Sequence, residues 1–533
     1  MRKLLEDKRR FSTAVFFVIL CLVFFRFCYY GFTYYWQADD YIQYYAYTHR
    51  GPLPEVIASV GLLSARPLAG LGDVYFWANF SGCMIVAVLL VSAMYAASAV
   101  LFWRVFNRKF GTGPVFLVVY TLMPIAFEGT YWLSASTRIV TGLFFASLAL
   151  YFFCRYVDSG GKRRLIAFMI SMVISCGFYE QTLVFAVAAV LLFALLEVGK
   201  NRRALWGLFA VAAMGLYFVY ISAMPSDSIF SKRTEITLPF RDADYFTDFF
   251  PLTMKNIDEA AISASWSTIA RGGMRGLRYI VADGAYFYLI LAVIFAAALA
   301  ALFWHRKDKM RKPVAAIVVA LLLVIAPVTP FLVLKAGGYG LRCVTASLCG
   351  FALLVDTLLA VIFRNRRSVM CVIAAILAVG MSICIVSELH DYRETTLMDN
   401  KIASLAAEKL TADGIEERGK KVCIINVKSD YLEEQNYYGK RYIHGCTDST
   451  WAFSGMLECY MGYERPLVTP LSVNTWNYNE LLDAEYDASY LYTGDELIPV
   501  TVSKTDTGWD LFDMNGELAA VIDFAASTLT FVK

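Results

Sequence analysis

The sequence predicts an all-α polytopic membrane protein followed by a C-terminal mixed α/β domain, and three observations predict it. Of its 533 residues, 58% are hydrophobic and only 17% charged, with a mean hydropathy of +0.54. Soluble domains do not have that balance. Apolar runs of roughly 15–25 residues, the length that crosses a bilayer, recur about eleven times before residue 388. Residues 388–533 contain no such run. A formal net charge of +3 is too small to argue for nucleic acid or any strongly charged partner.

The runs fall near 11–35, 78–103, 112–127, 131–154, 165–179, 182–199, 204–224, 284–304, 313–334, 343–363 and 369–387. The first follows a basic start and lacks a small-residue cleavage site, so it reads as a retained anchor and first span. Basic clusters then set the orientation. Arg2-Lys3 with Lys8-Arg9-Arg10, Arg104/Arg108/Lys109, Arg155/Lys162/Arg163/Arg164, Lys200/Arg202/Arg203, Arg306/Lys307/Lys309/Arg311/Lys312 and Arg364/Arg366/Arg367 all fall on one side. The positive-inside rule makes that side cytoplasmic. Eleven spans leave the N-terminus cytoplasmic and the C-terminus outside.

Residues 1–387 therefore form the membrane domain, with outer loops at 36–77 and 225–283. Residues 388–533 form an external domain. That domain opens with a helix from Glu388 to about Ala412, and Val422–Val427 reads as a buried strand. From Tyr490 to Val532, short β-prone runs alternate with Gly and Asp turns. Cys446 and Cys459 lie on the oxidising side, where they either pair or stay free. The other ten cysteines are scattered and show no metal spacing.

Two spans are short. The run 112–127 ends at Phe127-Glu128-Gly129, and 165–179 ends at Tyr179-Glu180-Gln181. Fifteen or sixteen helical residues cover only about 24 Å of a roughly 30 Å core. Glu128 and Glu180 are thus expected to sit recessed, facing a polar cavity. Trp132, Ser134 and Arg138 follow the first short span, and the Arg fork suits phosphate oxygens. Arg66, Lys335 and Arg342 are further cations on the outer side. Asp356 lies inside a span and reads as structural. The acidic pair Asp39-Asp40 follows an aromatic-rich stretch from Phe24 to Tyr35, which marks an interface. Neighbouring side chains diverge, so one carboxylate can face a cavity while the other packs into the loop.

These residues resemble the GT-C superfamily of integral-membrane glycosyltransferases, and within it the bacterial polyprenyl-phosphate-sugar-dependent enzymes, including the Gtr-type glucosyltransferases that decorate O-antigens. The features that carry the likeness are Asp39-Asp40, Arg66-Pro67-Leu68, the Glu128…Trp132-Leu133-Ser134 segment, Tyr179-Glu180-Gln181, and many spans followed by an external domain. It covers roughly residues 10–390. The resemblance implies a GT-C-like fold in a bacterial plasma membrane. It also implies a sugar donor on a polyprenyl phosphate and a cell-surface glycan or lipid as acceptor. Asp39 would be the general base, with Asp40 beside it. The donor phosphate and sugar would fall to Arg66, Glu128, Trp132, Arg138, Glu180, Gln181, Lys335 and Arg342. Some relatives place a divalent metal, Mg or Mn, between acid and phosphate, and that alternative stays open.

The rival readings are a polytopic transporter or flippase of a lipid-linked or polar substrate, and a membrane anchor presenting its C-terminal domain. Transporters commonly show inverted repeats and helices broken near the midplane. The sequence displays neither, and its polar residues gather at one end of the spans.

Overall fold

The computed structural model describes residues 8–46, 66–223, 236–306, 309–334, 338–417, 419–427, 445–462, 465–471, 485–526 and 528–532. Most of them are helical. Among the described residues, ten helices are long and apolar enough to cross a membrane. The chain divides into two compact units. The first takes the described residues of Met1–Tyr34 and Pro52–Leu389, the second those of Tyr35–Gly51, His390–Tyr437 and Ile443–Lys533.

The first unit is built from helices. In chain order these are α1 (Lys8–Phe25), α2 (Pro67–Tyr75), α3 (Met84–Phe110), α4 (Pro114–Leu122), α5 (Phe127–Tyr131), α6 (Leu133–Ser159), α7 (Lys162–Cys176) and α8 (Glu180–Val198). There follow α9 (Phe209–Ala223), α10 (Phe250–Ile257), α11 (Ala264–Ala282), α12 (Tyr286–Trp304), α13 (Pro313–Ile325), α14 (Leu341–Ile362) and the part of α15 (Arg367–Ala412) up to Leu389, a single helix that joins the span expected at 369–387 to the helix expected from Glu388 to about Ala412. Helices this apolar that lie in a bilayer are held together by close packing rather than hydrophobic burial, because lipid tails are as apolar as leucine. Gly350 shows the device. A β-carbon there would sit 2.6 Å from the Ala320 carbonyl oxygen, so only glycine lets α14 approach the α13 backbone this closely. Asp356, fully buried in α14, accepts the Gly113 and Phe116 backbone N–H groups at 2.7 and 3.2 Å. It thereby satisfies the open amides at the start of α4, the structural role expected of it.

Several spans differ from their sequence boundaries: the first, expected at 11–35, is the helix α1 only to Phe25, and the one expected at 313–334 is α-helical only to Ile325. The span expected at 78–103 lies later, with α3 running to Phe110 after a 3-10 turn at Trp77–Cys83, and α2 precedes both inside the expected outer loop. The span expected to end at 127 runs on to Tyr131 and is broken. Met123 has an extended backbone before Pro124, which lacks an N–H, and a 3-10 turn at Pro124–Ala126 reconnects the chain to α5. The span expected at 165–179 is the fifteen-residue α7, which ends at Cys176.

The second unit carries the strand-rich C-terminal region. Its seven strands are β1 (Lys421–Ile425), β2 (Leu467–Leu471), β3 (Ala488–Tyr492), β4 (Leu497–Lys504), β5 (Gly508–Phe512), β6 (Leu518–Asp523) and β7 (Thr528–Phe531). They order as β2-β1-β3-β4-β5-β6-β7. β1 pairs in parallel with β2 and β3, and the rest is an antiparallel meander. Trp509, Leu511, Ile522 and Cys423 form its buried core. Helix α16 (Thr450–Met461) packs Gly455 against Ile42. Residues 35–46, read from sequence as part of an outer loop of the membrane domain, thus belong to this unit. Cys446 and Cys459 are both free thiols. Burial pushes Cys459 up to about 12, with the neighbouring Glu458 adding to the rise.

Candidate functional site

Three arginines in the first unit each meet a carboxylate at one end of the helices. Arg66 precedes α2, where its backbone carbonyl accepts the Gly70 N–H. Its Nε donates to both oxygens of Glu180, the first residue of α8, at 3.0 and 3.1 Å. The guanidinium carbon lies 4.0 Å from the centre of the Tyr179 ring. Held by one nitrogen and stacked on one face, Arg66 keeps both terminal nitrogens without a partner among the described residues. Those nitrogens form a planar fork suited to phosphate or carboxylate.

Arg138, in the second turn of α6, donates through Nη2 and Nε to Asp73 Oδ2 at 2.7 and 3.2 Å. Both side chains are buried. Arg342, in the first turn of α14, approaches Glu128 at 3.7 Å and is 38% exposed, the most open of the three. Its guanidinium carbon lies 5.0 Å from the Trp132 ring centre. The pairs are neighbours, because Asp73 feels Arg66 as well as Arg138, and Tyr179 lies in the field of both Arg66 and Arg342.

Local sequence explains the positions. The breaks at Pro124 and Trp132 isolate α5 as a short helix carrying Glu128. Gly129 then allows α5 to meet α14, since a β-carbon there would sit 2.1 Å from Thr345 Oγ1 and 3.0 Å from the Arg342 carbonyl oxygen. Gln181, buried in α8, donates to the Pro327 and Cys343 carbonyls at 3.3 and 3.2 Å. Asp73 Oδ1, Gln181 Oε1 and Thr345 Oγ1 are buried with no hydrogen-bond partner among the described residues. Buried polar atoms usually have partners, so these three mark a polar spot in the helical unit.

An apolar cavity of about 480 Å³ adjoins the cluster, lined by Phe76, Trp77, Leu90, Met94, Phe144 and Phe178 among others. Gly72 and Thr141 also line it. They sit beside Asp73 and one turn from Arg138, and Phe178 precedes Tyr179.

The sequence-derived residues divide between the units. Arg66, Glu128, Trp132, Arg138, Glu180, Gln181 and Arg342 all belong to the first. Lys335 lies outside the described residues. Asp39 and Asp40 belong to the second unit. Asp40 is fully buried and accepts the Gln37 N–H at 2.9 Å. Asp39 is half-buried, and its backbone carbonyl accepts the Gln43 N–H at 2.9 Å. Among the described residues, no three His, Cys, Asp or Glu side chains converge as a metal ion would require.

Sequence reasoning missed Asp73, the only acid in the stretch from Pro67 to Phe110, and Arg26, set among phenylalanines. A lone ionisable residue in an apolar run was the available signal. Arg26 is buried, donating to the Thr121 carbonyl and to Thr130 Oγ1 at 3.1 Å each, so it braces α5 from the far side. No protein-family model matches the chain, and no curated protein matches its sequence.

Proposed function

We propose that the chain is a multi-pass membrane glycosyltransferase that takes a sugar from a polyprenyl phosphate and passes it to a hydroxyl of a cell-surface glycan or lipid. One observation carries this reading: an arginine fork, fixed by Glu180 and Tyr179, stands where an apolar cavity meets a buried polar cluster, three of whose polar atoms lack a hydrogen-bond partner among the described residues. A phosphate on an isoprenoid chain has that same division between charge and hydrocarbon.

In the reaction, the acceptor oxygen bonds to the anomeric carbon as the bond from that carbon to the phosphate oxygen breaks. The electron pair leaves with the polyprenyl phosphate, and the acceptor proton passes to a carboxylate. The resemblance assigns that general base to Asp39, work typically worth about 10²–10⁴ in rate. Arg66 and Arg342 stabilise the charge that develops on the leaving phosphate. Arg138, tied to Asp73, is too enclosed to reach far and serves to hold α2 against α6.

Orientation belongs to the same proposal. Arg138 begins α6 and Arg155 lies near its end, while Glu180 begins α8, so α7 must return from the basic end to the cluster end. Counting α7 as a span gives eleven, with the N-terminus cytoplasmic, the C-terminal region external, and a bacterial plasma membrane as the location. Reporter fusions after Arg367 and Lys533 should then report opposite compartments. A transporter or flippase is the second reading, favoured by the break at Pro124, because broken helices are common in transporters.

The test is transfer from a polyprenyl-phosphate sugar by purified protein, with Asp39→Asn and Arg66→Lys. Asp39→Asn should abolish transfer while donor still binds. Arg66→Lys keeps the charge but loses the fork, and donor affinity should fall by about 1.5–3 kcal/mol. Movement of intact donor across vesicles without cleavage would favour the second reading instead.

A further inference from the structure

A second cavity, of about 670 Å³, lies at the other end of the same helices. Seventeen positions separate Arg138 from Arg155 in α6, and Glu180 from Glu197 in α8, about 26 Å at the helical rise. Phe11, Trp103, Tyr151, Phe153 and Phe193 give the cavity an aromatic floor. Among the described residues, six cations reach it, Arg104, Arg108, Lys109, Arg155, Arg306 and Arg311, against two carboxylates, Asp158 and Glu197.

The pairing is incomplete. Arg108 pairs with Asp158 and Lys109 with Glu197. Arg104 stacks 5.1 Å from the Tyr151 ring centre and Arg306 4.6 Å from that of Phe11, so both are held in place by the floor. Among the described residues, Arg104, Arg155 and Arg311 have no carboxylate partner. A charge bias that merely orients a membrane protein places cations on loops. It does not require a cavity with an apolar floor and a surplus of guanidinium groups, two of them stacked on that floor.

We propose that this cavity binds the phosphate headgroup of an anionic lipid from the leaflet at the basic end, with part of its apolar chain against the aromatic floor. The site is separate from the donor site and does not depend on the transferase reading. A free phosphate would use the same guanidinium groups but leave the floor uncovered, and the experiment separates the two.

Purified protein is titrated with brominated phosphatidylglycerol, brominated phosphatidylcholine and inorganic phosphate while tryptophan fluorescence is followed. Trp103 lines the cavity, and subtraction of Trp103→Phe isolates its signal. Phosphatidylglycerol should quench that signal at least tenfold more effectively than phosphatidylcholine. Replacing Arg104, Arg155 and Arg311 together by Gln should weaken the effect about tenfold. Replacing the exposed Arg163, Arg202 and Arg366 by Gln should change it less than twofold. Equal losses in the two triple variants would reduce the effect to general surface charge and overturn the site. Displacement of phosphatidylglycerol by millimolar inorganic phosphate would make the ligand a soluble anion and overturn the lipid assignment. If the cavity triple does not fold, wild-type protein still decides, since equal quenching by the two lipids removes the proposal.

Discussion

The two ends of the helical unit treat their arginines in opposite ways. At the cluster end each of Arg66, Arg138 and Arg342 meets a carboxylate, and two of them also stack on an aromatic ring. At the basic end three of six cavity cations have no carboxylate partner among the described residues. Pairing neutralises charge but fixes direction, so the cluster end is suited to recognition by geometry. Unpaired cations sum to a field, so the basic end is suited to attraction by charge. The same residue type thus does different work according to its neighbours.

The comparison predicts unequal costs of mutation. The largest falls on Asp73→Ala, which removes the buried carboxylate that Arg138 bonds through Nη2 and Nε. Breaking such a pair costs about 3–5 kcal/mol, and the unfolding midpoint of purified protein in detergent should drop accordingly. Replacing both partners, Asp73→Leu with Arg138→Met, should recover most of that loss. A double variant as unstable as the single would mean the pair does more than compensate charge. Gly129→Ala comes next. Its β-carbon would strike Thr345 Oγ1, and overpacking of this kind costs about 1–3 kcal/mol. Combining it with Thr345→Ala should relieve part of the cost. The smallest effect belongs to Arg155→Gln at the basic end, expected to change stability by less than about 0.5 kcal/mol. A large loss there would erase the distinction between the two ends.

The amount legible from sequence differed between regions for physical reasons. Long apolar runs report helices directly, so α6, α8, α12 and α14 lay within about five residues of expectation, and α13 began where expected. The break at Pro124 was visible as a proline, yet the expected span ended before Glu128, because an uninterrupted helix was the simpler reading of an apolar run. The pairing of Glu180 with Arg66 joins positions more than a hundred residues apart, and spacing carries no information about such contacts. Asp73 was missed because attention went to acids at span ends, whereas this one lies inside the stretch that begins at Pro67. In the second unit the strand from Val422 was legible from its continuous apolar character. The packing of Ile42 against Gly455 was not, since nothing in either segment announces the other.

The central claim is that the cluster at Arg66 holds a phosphate attached to an isoprenoid chain. The most direct measurement is a titration of the purified protein with polyprenyl phosphate and with the polyprenol of the same length, repeated for Arg66→Gln. Both ligands fill the apolar cavity equally, so any difference isolates the phosphate. The account predicts that the phosphate form binds at least tenfold tighter, the scale of one charge-assisted hydrogen bond, and that Arg66→Gln removes most of this advantage. Equal affinity for the two lipids, or an advantage untouched by Arg66→Gln, would contradict it.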